Sequence, residues 1–83
     1  MPIVPLLAEA AFDPETVEIL SAAFEDAWER IRRSGSTLAR PAYERGAREV
    51  LAKSIIEMAQ GGERDRSRLT EAAVHFLTEN YRG

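Results

Sequence analysis

The sequence contains no cysteine and only one histidine, His75. The first absence removes disulfides and thiolate metal sites. The second leaves a single imidazole for any triad or metal shell. No apolar run approaches the roughly 18 residues that a membrane span needs. No basic side chain precedes Arg30, and Pro2 and Pro5 interrupt the apolar start, so the positive lead of a secretory signal is missing. The expectation is a cytoplasmic protein without a membrane segment. Patterns of the G-x-S-x-G, P-loop, G-x-G-x-x-G and H-E-x-x-H kinds are absent as well.

What is present is an 83-residue chain, 45% hydrophobic and 30% charged, the composition of one globular domain. Much of the hydrophobic share is alanine. The bulky set is mainly Leu6, Leu7, Phe12, Val17, Leu20, Phe24, Trp28, Ile31, Leu51, Ile55, Met58, Leu69, Phe76 and Leu77. A domain this short buries only about 60–65% of its unfolded surface and sits near the stability margin. Without disulfides or metal ligands, oligomerisation is the remedy left.

The net charge of -3 gives no overall attraction to nucleic acid or anionic lipid. Its distribution is uneven. Glu9, Asp13, Glu15, Glu18, Glu25, Asp26 and Glu29 precede the first base, and six arginines then fall between Arg30 and Arg48 against Glu44 alone.

The local signals predict helices at 14–33, 41–60 and 66–80. Asp13 suits an N-cap, Pro14 the first helical position, and Phe12 with Val17 a hydrophobic staple. Val17, Leu20, Phe24, Ala27 and Ile31 form the apolar stripe, with Trp28 at its edge. Arg30, Arg32 and Arg33 favour the negative helix end, and Gly35 can close it. Pro41 opens the second helix, whose broad face is Tyr43, Ala47, Val50, Leu51, Ile55 and Met58. Gly46 weakens that helix, and Gly61-Gly62 stops it. Asp65 or Ser67 caps the third helix, with Leu69, Ala73, Phe76 and Leu77 inward. The arm, residues 1–12, is extended at its prolines.

Three amphipathic helices with short connections predict an all-α fold, an antiparallel three-helix bundle with an apolar N-terminal arm, spanning 1–83 as a single domain. Alternation would gather Arg30, Arg32, Arg33, Arg40, Arg45 and Arg82 at one pole. Asp13, Glu15, Glu57, Glu63 and Asp65 would share the other with Arg64, Arg66 and Arg68.

Phe12-Asp13-Pro14-Glu15, Ala27-Trp28 and Gly62-Glu63-Arg64-Asp65, within a similarity running from Phe12 to Leu77, resemble a group of short uncharacterised bacterial helical proteins. That resemblance implies the same helical fold and brings no activity, cofactor or site residue.

Three constellations could carry function. His75 has Glu71 and Glu79 one turn before and after it, a row that could weakly hold a divalent cation; a solvated helix face is the simpler account. No catalytic, cofactor or metal site is therefore expected. The second and third helices could form a helix-turn-helix presenting Arg66, Arg68 and Thr70 to DNA. The long connection, the acids Glu63, Asp65 and Glu71 and a pI near 5 disfavour nucleic acid. Finally, Ile19, Ile56 and Val74 stand off the core stripes, and the arm offers Ile3, Leu6 and Leu7. These predict a second buried surface, in a homodimer or against an unidentified protein partner. The reading is a non-catalytic helical interaction or regulatory module that self-associates, with a small DNA-binding regulator as the alternative.

Overall fold

The computed structural model describes residues 12–35 and 39–80. Three helices account for nearly all of them: α1 (Pro14–Arg33), α2 (Pro41–Gln60) and α3 (Arg66–Asn80). These are the spans that the capping residues predict. Ile3, Leu6, Leu7 and Arg82 lie outside the described residues.

Each boundary has a local cause. Asp13 is extended, and its Oδ1 accepts the Thr16 amide at 2.7 Å, satisfying one of the free donors at the start of α1. At the other end Ser34 Oγ donates to the Ile31 carbonyl at 2.8 Å. Gly35, at φ +72°, turns the chain away. Arg40 opens α2 with backbone alone, because no side chain caps it. The end of α2 is a Schellman motif: the Glu63 amide donates to the Met58 carbonyl and the Gly62 amide to that of Ala59, both at 3.0 Å. That motif requires the positive φ of Gly62, +106°. Asp65, not Ser67, then caps α3 by accepting the Arg68 amide at 3.0 Å.

α2 and α3 run in opposite directions: Gly61 and Gly62 share one hollow with Ser67 and Arg68, and Ser54 shares the next with Phe76 and Glu79. The Arg48 guanidinium lies 5.3 Å from the Phe24 ring and 5.5 Å from the Trp28 ring, pairing the middle of α2 with the middle of α1. Asp26–Arg66 and Arg30–Glu71 join the second half of α1 to the first turns of α3. Arg66 therefore meets the middle of α1 instead of joining an acidic pole at its start.

The core is one cluster in which all three helices take part. Leu20, Phe24 and Ile31 of α1, Leu51 and Ile55 of α2, and Leu69 and Leu77 of α3 are fully buried. Alanines 23, 27, 47, 52, 59 and 73 fill the space between them, which lets the helices approach closely. Trp28, expected at the edge of the stripe, is 6% exposed and belongs to the core.

Two residues expected inside are not there. Tyr43 is 56% exposed and Phe76 44% exposed. Tyr43 sits well to one side of the line through Ala47, Leu51 and Ile55, and Phe76 on the shoulder of the line Leu69–Ala73–Leu77. Both lines are already filled by smaller aliphatics.

Candidate interaction surface

The residues that depart from the core stripes of α2 and α3 have their own order. Tyr43, Val50, Ser54 and Met58 follow spacings of seven, four and four, which places them on one face of α2. Ala72 and Phe76, four apart, form the matching row on α3. A shallow concavity between the two helices is lined by Ser54, Glu57, Met58, Ala72, His75, Phe76 and Glu79. A second, mainly apolar one adjoins it through Met58 and Ala72 and ends against Gly61, Gly62 and Glu63. The α2–α3 seam thus carries an apolar patch around Met58, and Tyr43 stands on the same face of α2 about four turns nearer its start. Sequence reasoning missed this surface because it assigned Tyr43, Met58 and Phe76 inward; their exposure is the signal that identifies it.

The residues expected to form a second surface are elsewhere. Ile19, Ile56 and Val74 are half-buried against the core cluster of their own chain. Their angle from the stripe is real, but the seams of a three-helix bundle reach round that far. Ile3, Leu6 and Leu7, the candidates on the arm, lie outside the described residues.

The DNA-reading set is also redistributed. Arg66 Nε donates to Asp26 Oδ2 at 2.6 Å. That hydrogen bond holds the Asp26 carboxyl below its ordinary pKa against desolvation, and the charges of Arg66 and Arg30 add smaller pulls in the same direction as the bond. The same bond, with the Asp26 charge, raises that of Arg66. Arg68 faces Glu63 at 3.9 Å. Thr70, expected on a presented surface, is 3% exposed. Its hydroxyl donates to the Arg66 carbonyl at 2.9 Å and, at the long limit of 3.4 Å, to that of Ala23. A β-branched residue beside the Leu69–Ala73 line is drawn into the α1 contact.

His75 is exposed, and Glu71 turns from it to Arg30 at 2.7 Å. Among the described residues, no three His, Asp or Glu side chains converge as metal ligands would. Of the predicted arginine pole, Arg30 joins Glu71, and Arg32 and Arg33 both join Glu29. Three of the six arginines of that pole are thus engaged by carboxylates. At the other end Arg64 lies 5.5 Å from the Phe12 ring, and its charge adds to the hydrogen bonds of Thr16 that depress the Asp13 pKa.

No protein-family model, curated protein or solved structure matches the chain. No described helix is long and apolar enough to cross a membrane.

Proposed function

We propose that the protein is a non-catalytic helical interaction or regulatory module of the cytoplasm that works by self-association. The observation that carries this reading is the apolar patch on the α2–α3 seam. A domain of this size has little apolar surface to spare, yet it leaves Phe76 substantially exposed beside Met58 and Ala72, and Tyr43 exposed on the same face of α2 nearer its start. Aromatic and methionine side chains are the types enriched at protein interfaces. The DNA-binding alternative draws less support, since Thr70 is buried and Arg66 is engaged by Asp26.

Light scattering of the full chain over a range of concentrations tests the proposal. The expected result is a mass that rises to twice that of the 9.3 kDa chain by tens of micromolar. A mass that stays at the single-chain value overturns it. Titration against duplex DNA tests the alternative: tight binding that falls steeply with added salt would promote it.

A further inference from the structure

We propose that two copies of this chain pair through their α2–α3 faces about a twofold axis, the Tyr43 ring of each entering the depression around Met58 of the other. This rests on the self-association reading and names its surface.

The argument is one of shape first. Tyr43 is the most exposed large hydrophobic residue described, and it stands near the start of α2. The depression around Met58, Gly61, Gly62 and Ala72, which Ser67, Arg68 and Glu71 also line, lies at the opposite end of the same face. Fifteen residues of helix separate Tyr43 from Met58, about 22 Å along the axis. A projection at one end of a face and a hollow at the other are what a twofold contact needs, because residue i then meets residue j twice. An axis level with Val50 brings each Tyr43 over the partner copy's depression. The same axis keeps α3 of one copy beside α3 of the other, with Phe76, which lines a hollow with Ser54 and Met58, about one turn from the axis.

Charge follows the same pattern. Arg40, one turn before Tyr43, is exposed and forms no ion pair with another described residue. Glu57, one residue before Met58, is exposed, borders the apolar patch and likewise pairs with no described residue. The twofold carries Arg40 of one copy to the level of the Glu57–Gly61 turn of the other. An arginine side chain is long enough to reach along one helical turn to the carboxylate. Each face therefore brings a cation at its raised end and an anion at its hollow end, a complementarity that fixes register.

The test replaces Tyr43 with the photoreactive p-benzoylphenylalanine in the full chain, followed by irradiation and mass mapping. The expected product is a covalent dimer joined between position 43 and the segment from Met58 to Gly62, or Ala72. A link within one chain, or a dimer joined elsewhere, overturns the proposal. In parallel, Arg40→Glu and Glu57→Arg should each weaken the dimer about tenfold or more, and the two changes in one chain should restore it. Both positions are exposed, so circular dichroism of each variant should match the original. A dimer indifferent to these charges overturns this surface and leaves self-association standing. An original chain that is monomeric overturns both.

Discussion

The two seams that flank α3 are finished differently. Toward α1 the rim is charged: Asp26 meets Arg66, Arg30 meets Glu71, and Thr70 lies buried beneath them. Toward α2 the rim is mixed: Met58, Ala72 and Phe76 lie around shallow hollows that Glu57, Arg68 and His75 also line. Both seams share the same interior of Leu69, Ala73 and Leu77. The difference therefore lies only in what finishes the edge, and the two finishes suit different neighbours. A rim of matched charges is at home in water. Apolar side chains on a rim expose surface whose removal from water is favourable, at about 25 cal/mol per Å². The comparison shows that α3 is edged by close ion pairs on one side and by apolar side chains set among charges on the other.

Truncating side chains on either side of that boundary should give the largest effects and the sharpest contrast. Phe24 is 1% exposed and Trp28 6% exposed, and replacing either with alanine should cost about 3–5 kcal/mol. That is most of the stability of a small domain. Phe76→Ala, by contrast, should leave thermal unfolding of dilute monomer within a few degrees of the original. If Phe76→Ala unfolds the chain as readily as Phe24→Ala, the α2–α3 rim is core and no spare surface exists.

Much of the fold was legible because helix ends are local chemistry. Asp13-Pro14, Pro41, Gly61-Gly62 and Asp65 each act within a few residues of themselves, and the boundaries follow. The core line of each helix was legible too, from its period. The failures share one cause. On α2, Tyr43, Val50 and Met58 lie beside the line of Leu51 and Ile55, and a single broad apolar face hides two stripes. Only the position of α3 decides which stripe is inside. Arg66 looked like a DNA contact because the register of α3 against α1, which delivers it to Asp26, is not written in either segment alone. Arg48 was one arginine in a run until packing set it against Phe24 and Trp28. Alanine was underrated throughout: six alanines in the core set how closely the helices pack.

Two smaller substitutions refine the contrast. Gly46 lies within α2, exposed, and a methyl group there meets nothing within 4 Å. Gly46→Ala should therefore stabilise the fold by about 1 kcal/mol, read as a higher denaturant midpoint. A loss instead would mean that the outer side of α2 is covered closely. Thr70→Val keeps the shape at the α1–α3 seam and removes the hydroxyl. The Arg66 and Ala23 carbonyls keep their helical hydrogen bonds, so the cost should be only about 0.5–1.5 kcal/mol. A much larger loss in urea unfolding would show that the hydroxyl organises that seam.

The smallest expected effect tests whether the charged rim of the α1–α3 seam contributes at all. The Asp26 carboxyl is held below its ordinary pKa first by the hydrogen bond from Arg66 and then by the charges of Arg66 and Arg30. The unfolded chain, with a carboxyl near the ordinary value of about 3.9, therefore takes up its proton at higher pH than the folded one. Stability from this group is complete above that unfolded value and is lost as pH falls through the lower, folded one. Arg66 stays charged throughout this range, its pKa being raised, and adds no slope of its own. Asp13, depressed by its hydrogen bonds from Thr16, contributes a slope of the same sign. Urea midpoints followed from neutral pH into acid should thus fall for the original chain and fall less for Asp26→Asn. The remaining slope should shrink further when Asp13 is also replaced by Asn. Because the Arg66 and Asp26 side chains are 57% and 42% exposed, the pair is well screened, and the difference between the chains should narrow in concentrated salt. Superimposable acid profiles for the original chain and Asp26→Asn would mean that the charged rim only solvates the seam, leaving Leu69, Ala73, Leu77 and Thr70 to hold α3 to α1.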